Sequence, residues 1–358
     1  MAAADSKLPD YQRSMQPPRI YLDNAATTWP KPESVYRAID TFQREIGVAA
    51  GRGSYSSSMR AFECVDRARQ NVRTLFHASP DHHVVFGHNG TDVINLALQG
   101  FVRDPCHIIT SVAEHNSVLR PLRGLMANRG AQVTYVPCGS DGVIAPDDVR
   151  AEIRPDTRLL AITHASNVTG AIQPLDELSR LARELGICLL IDAAQTAGKI
   201  PIDLRATPID LLATSGHKGL LGPLGTAVLV LAPSLEGRLV AIRQGGTGTS
   251  GDGDEHPTQS PEAFEAGSGN APGIAGLSAG IDYVLEHADE IRRHEIALTG
   301  KLLDGLHDLP AIQVPGPRLA TQRTGTVAFV VEGWNSHELA HLLEVAGGIQ
   351  VRAGLICA

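Results

Sequence analysis

The chain has 358 residues, of which 43% are hydrophobic and 20% charged, with 36 glycines and a net charge of −8. That length supports one large or two medium domains, and the composition excludes an intrinsically disordered chain. The negative balance argues against nucleic acid or an anionic membrane surface as partner.

Residues 1–18 carry no apolar h-region, so they read as a flexible tail and not as a secretory leader. IYLD at 20–23 predicts a strand, and 32–46 and 59–76 predict helices from their apolar spacing. VVF at 84–86 predicts a buried strand leading through a turn into the helix TDVINLALQGF. Strands follow at 107–111, 132–137, 159–165, 187–194, 211–215 and 225–232, with helical stretches such as 174–186 between them. Several of these runs are almost uniformly apolar, which a sheet covered by helices on both faces requires. The expectation is an α/β fold with a large domain over 19–250 built on a mainly parallel sheet. The Gly-, Ser- and Pro-rich stretch 245–273 marks a boundary. Beyond it, helices and short strands near 311–314, 326–331 and 349–352 predict a small α+β domain over 251–358.

The five cysteines, Cys64, Cys106, Cys138, Cys188 and Cys357, are scattered and form no CxxC pair. A disulfide framework or structural zinc site is therefore not expected. His77, His82, His83 and His88 are clustered, but no carboxylate or Cys falls at useful ligand spacing, so no metal is expected there. The longest apolar stretches are too short to span a bilayer. These features predict a soluble protein of a reducing compartment, the cytoplasm.

Ligands of open α/β sheets sit outside the C-terminal ends of the strands. GHNGTD places Gly90 and Thr91 there, VAEHNS places His115, and SNVTG places Asn167. DAAQ places Asp192 and Gln195, and SGHKG places Ser215, His217 and Lys218. Singly, each has an ordinary reading as a helix cap, a turn former or a solvated charge. Together they suit one anionic aromatic ligand, pyridoxal 5′-phosphate. Its aldehyde needs an amine, its ring nitrogen a carboxylate, its phosphate hydroxyls and N–H groups, and its ring a stacking partner. No Walker A sequence and no GxGxxG after the first strand supports a nucleotide instead.

The motifs YLDNAATTWPKP, EHNSV, THASNVTG, IDAAQTAG, SGHKGLLGPLGT, FEAGSGNAPGIAGL and VRAGLICA run in order from residue 20 to the C-terminus. They resemble the cysteine desulfurase group of the class V aminotransferases, which are fold type I enzymes. FEAG and RAGxxCA resemble its selenocysteine lyase branch. The resemblance implies Lys218 as the Schiff-base lysine and proton carrier, Asp192 on the ring nitrogen, and Gln195 on the ring hydroxyl. It implies His115 stacked on the ring, with Gly90, Thr91, Ser215 and His217 on the phosphate. Ser268 would reach the phosphate of a second subunit, which implies a homodimer. Asn167 would contact the substrate carboxylate. Cys357 would take sulfur from L-cysteine as a persulfide, releasing alanine, before passing it to an acceptor protein.

Selenocysteine as substrate, and another class V reaction such as transamination, are the alternatives the resemblance leaves open. Arg352 is the candidate cation beside Cys357 and is grouped with Asn167 for substrate binding. The chain departs from the family at Ile356, where a histidine is usual. The family pattern also continues past the CA dipeptide with an arginine that grips the substrate carboxylate. If the chain ends at Ala358, a catalytically impaired protein is the further expectation.

Overall fold

The computed structural model describes residues 19–51, 53–247 and 254–355. The short strand β1 (Ile20–Tyr21) leads to α1 (Glu33–Thr41) and α2 (Ser56–Leu75). β2 (His83–Gly87) then enters the main sheet and turns into α3 (Gly90–Phe101). Next come β3 (His107–Ser111), α4 (Asn116–Arg129), β4 (Gln132–Val136), α5 (Pro146–Ala151) and β5 (Thr157–Thr163). α6 (Leu175–Leu185), β6 (Cys188–Asp192), β7 (Leu211–Ser215) and β8 (Ala227–Leu231) complete the sheet.

The seven strands lie in the order β2-β8-β7-β6-β5-β3-β4, and β8 alone runs against the others. Every residue of β3, β6, β7 and β8 is buried. Two apolar layers flank the sheet. One contains Phe86, Ile162, Leu189 and Leu212, the other Val85, Ile108, Leu159 and Leu211, so alternate residues of each strand feed opposite faces. The continuous apolar runs of the sequence have this origin.

α6 shows how a covering helix is specified. Leu175, Leu178, Leu181 and Ala182 form its buried stripe, and Asp176 and Glu177 sit in its first turn, where the helix dipole favours negative charge. Gly186 ends it with φ 64°, a left-handed conformation that suits a residue without Cβ.

The C-terminal part begins with α7 (Ala271–His307), two helical stretches joined across a kink, where the sequence predicts several helices. It bends at His287, which has φ −120° and whose Nδ1 lies 2.9 Å from the Tyr283 carbonyl. α1 and α2 pack on α7, and most of its buried residues precede the bend. β9 (Ile312–Gln313) pairs antiparallel with β10 (Val330–Val331), much shorter than the strand expected over 326–331. α8 (Ser336–Gly347) and β11 (Ile349–Gln350) follow.

Two long-range ties shape this part. β1 does not join the seven-stranded sheet; it pairs in parallel with β11, Ile20 opposite Ile349 and Tyr21 opposite Gln350. Arg323, only 1% exposed, donates to the carbonyls of Pro317 and Thr326, each at 2.9 Å. Its backbone bridges to Ala171, and the Thr324 N–H donates to Gly170 O at 2.9 Å. The turn after β5 and the 315–326 loop thus form one seam.

Candidate functional site

Asp192 closes β6, with Thr163 of β5 and Ala213 of β7 as its register partners. The carboxyl is buried, and the Ala194 N–H donates to its Oδ1 at 2.9 Å. Burial pushes its pKa up; that hydrogen bond and the charges of Lys218 and His115 pull it back. Asp192, Lys218 and His115 therefore lie within electrostatic reach of one another, as the strand-end reading expects. A carboxylate so placed is complementary to a cationic ring nitrogen.

His115 caps α4. Its Nδ1 accepts from the Ser117 N–H at 3.0 Å, which assigns the ring proton to Nε2 when the imidazole is neutral. Burial lowers its pKa and favours that neutral form. The preceding residue is Glu114, the first of the EHNSV motif. Its side chain is fully buried, and its Oε1 accepts from Ser111 Oγ at 2.6 Å and from the Thr163 N–H at 3.0 Å. Burial raises its pKa to about 8, with the Asp192 charge adding to the rise, so Glu114 is a neutral acid at pH 7. Two carboxyls one strand apart are thereby kept from carrying two negative charges.

The anion cradle forms where β7 ends and α3 begins. Ser215 Oγ and His217 Nδ1 are buried and have no hydrogen-bond partner among the described residues. Buried polar atoms of this kind cost free energy and call for a partner. Gly90 lies against Ser215: a Cβ built on it would sit 3.5 Å from the Ser215 Cβ. Helix geometry leaves the Gly90 and Thr91 N–H groups without intrahelical acceptors, and the dipole favours an anion there. Asn89 caps the same helix, its side chain accepting from the Asp92 N–H at 3.0 Å. A cavity of about 580 Å³ opens alongside, lined by Thr91, Asn95, His115 and Arg120 among others. Burial, then the charges of Lys218 and Lys31, lower the His217 pKa to about 4, so its ring is neutral and able to donate from one nitrogen. A phosphate fits these donors, and an aromatic ring reaching from there to Asp192 fits the carboxylate.

Gln195 is buried, and its Nε2 donates to Ala25 O at 3.1 Å. Asn167 is half-buried on the turn after β5. Ser268 is exposed on a loop, next to Gly267, whose N–H donates to Gly246 O at 2.7 Å. Arg352 is bound by Asp23: its Nε reaches Oδ1 and its Nη2 reaches Oδ2, both at 3.1 Å. Ile356 and Cys357 lie outside the described residues. The clustered histidines go separate ways: His77 to Asp203, His82 to Ser79 and His83 to Glu236.

Sequence reasoning missed Glu114 and Lys31. Lys31 Nζ donates to the His217 carbonyl at 2.6 Å, and burial lowers its pKa to about 8. The motif YLDNAATTWPKP contains Lys31, but its contact with SGHKG, 186 positions on, is made only by the fold.

Known proteins share this framework. A probable cysteine desulfurase of Methanothermobacter thermautotrophicus is 34% identical over 345 residues, covering 95% of this chain and 84% of the relative. A cysteine desulfurase of Salmonella agona is 34% identical over 349 residues, with the same coverage of both. The apo structure of a cysteine desulfurase from Thermococcus onnurineus superposes with a TM-score of 0.89 at 31% identity, covering 99% of this chain and 90% of that one. The family model for class-V aminotransferases matches residues 20–358. The chain belongs to the class-V aminotransferase family, with the fold type I architecture those enzymes share.

Proposed function

We propose that the protein is a pyridoxal 5′-phosphate-dependent cysteine desulfurase, acting on L-cysteine to give alanine and a persulfide on Cys357. The observation that carries the reading is the paired demand at the strand ends. Burial raises the pKa of the Asp192 carboxyl, and two buried polar atoms, Ser215 Oγ and His217 Nδ1, lack any partner among the described residues. One ligand with a basic ring nitrogen and a phosphate answers both.

Bound there, the cofactor supplies an electrophilic aldehyde and a ring that accepts the electron pair left on a substrate Cα. The chain's own residues do the rest. Asp192 holds the proton of the ring nitrogen by charge. His115 would cover the ring, and its neutral imidazole offers an Nε2–H donor. Lys218 Nζ anchors the cofactor and carries the Cα proton. Ser215, His217 and the first turn of α3 would hold the phosphate. Asn167 orients the substrate carboxylate. The Cys357 thiolate receives the sulfur. A free thiol has a pKa of roughly 8.5, so only a few per cent is reactive at pH 7 unless a cation helps. We place the protein in the cytoplasm as a homodimer in which Ser268 serves the phosphate of the second copy, and an acceptor protein takes the persulfide sulfur.

The test is spectroscopic and chemical. Purified chain mixed with pyridoxal 5′-phosphate should turn yellow, and borohydride should fix the label on the peptide containing Lys218. L-cysteine with a thiol reductant should then yield alanine and sulfide, and Cys357→Ala should abolish the yield. A colourless protein after incubation would end the cofactor reading, and undiminished alanine from the Cys357→Ala variant would end the sulfur-transfer reading.

A further inference from the structure

The segment Asp23–Lys31 lies outside the strand-end site yet touches it closely. The His217 carbonyl accepts from Lys31 Nζ at 2.6 Å, the Thr28 N–H at 3.1 Å and Thr27 Oγ1 at 3.2 Å. A carbonyl has two lone pairs, so three donors saturate it and fix the peptide that joins His217 to Lys218. Thr28 Oγ1 donates to the next carbonyl, that of Lys218, at 3.0 Å. Gln195 Nε2 holds the segment from the other side, through Ala25 O.

The opposite end is tied to the C-terminal segment. Leu22 N–H donates to Gln350 O at 2.9 Å, continuing the β1–β11 pairing. Asp23 then meets Arg352 with two parallel N–H···O contacts at 3.1 Å, the fork arrangement that orients as well as attracts. Between the two ends, Tyr21 Oη donates to Asp23 O at 3.0 Å or to Thr27 O at 2.9 Å, which folds the segment back on itself. In the sequence, Cys357 stands five places after Arg352.

We infer that Asp23–Lys31 is a positioning strap. Lys31 and the threonines at one end fix the turn of Lys218. Asp23 at the other fixes the segment that leads to Cys357, so a single stretch of chain sets the two reacting groups in relation to each other. The inference rests on the proposed sulfur transfer. An exposed ion pair adds little to global stability. An effect of Asp23 on turnover without one on the unfolding midpoint is therefore the mark of positioning, not of packing.

The experiment uses the full chain reconstituted with pyridoxal 5′-phosphate. Asp23→Asn and Arg352→Gln should each lower kcat for alanine release about tenfold, with KM for cysteine changed less than about twofold. The double variant should be no slower than either, and Asp23→Glu should restore most of the rate. Alkylation of Cys357 by iodoacetamide, followed by mass spectrometry, should change in the same variants. Lys31→Met should lose cofactor about fivefold faster on dialysis, and Lys31→Arg should restore retention. A KM rise confined to Arg352→Gln would assign that guanidinium to the substrate and overturn the strap. So would Asp23→Asn with unchanged kcat and alkylation, or Lys31→Met with unchanged cofactor loss. If the wild-type chain binds cofactor but releases no alanine, the desulfurase reading fails while alkylation and cofactor loss still decide the strap. If it binds no cofactor, alkylation alone decides it, and an unchanged rate in Asp23→Asn overturns it.

Discussion

At the ends of β5, β6 and β7 the polar side chains of Thr163, Asp192 and Ser215 lie inside a packed sheet, whereas along α8 no residue is buried. The first region accepts the cost of desolvating polar atoms and leaves Ser215 Oγ, with Glu114 Oε2 and His217 Nδ1 beside it, without partners among the described residues. The second leaves Leu342 and Val345 largely in water and is held by its Asn335 cap and by β11. Strength and chemistry are thus concentrated together: the sheet that stabilises the molecule also carries the groups that need exact placement. α8 contributes shape with little packing energy.

Four experiments press on that contrast, from the largest effect to the smallest. Lys218→Ala removes the amine at the centre of the sheet-end site. Turnover of cysteine should fall at least about a thousandfold, with no borohydride label at that peptide by mass spectrometry. Leu189→Ala cuts into the layer beneath the site and should cost about 2–5 kcal/mol in urea unfolding.

Glu114→Gln tests the buried acid. Its folded pKa of about 8 lies above the usual carboxyl value, so the folded chain keeps a proton that the unfolded chain releases. That stability is fully present below the unfolded pKa and is lost as pH rises toward 8. Gln keeps an acceptor for Ser111 and Thr163 without titrating. Relative to the parent, Glu114→Gln should gain about 2 kcal/mol between pH 6 and pH 8, read from urea midpoints at the two values. Equal slopes for the two proteins would show that Glu114 does not hold its proton. At the far end of the scale, Leu342→Ser on α8 should shift unfolding by no more than about 0.5 kcal/mol. A large loss there would mean that α8 is covered in solution.

Much of the sheet was legible because its cause is local: uniformly apolar runs flanked by helical spacing leave few alternatives. The positions of Asp192, Ser215 and Lys218 followed, since a strand end fixes where the next residue goes. The β1–β11 pair was not legible, because two-residue strands more than 300 positions apart carry no local pattern. IYLD reads as a strand but not as one belonging with the C-terminus. The state of Glu114 was hidden for another reason. A glutamate beside a histidine looks like a surface charge until β3, β5 and β6 close around it, and burial is a property of the assembled sheet. That the last domain holds more than one helical stretch was legible, but the place of the kink was not, because His287 breaks the helical dihedrals without a Pro or Gly to announce it.

The guanidinium of Arg323 has a consequence for how the molecule opens. It is screened from solvent and, among the described residues, is held by backbone carbonyls with no carboxylate counterion. Those carbonyls belong to the 315–326 loop itself, which the guanidinium braces as one piece, while the seam to the turn after β5 is closed by the Ile172 N–H to Gln322 O at 3.2 Å and the Thr324 N–H to Gly170 O at 2.9 Å. The turn after β5 and the 315–326 loop must therefore part in one step, and hydrogen exchange at the amides of Ile172 and Thr324 should proceed at one common rate, as a single cooperative unit.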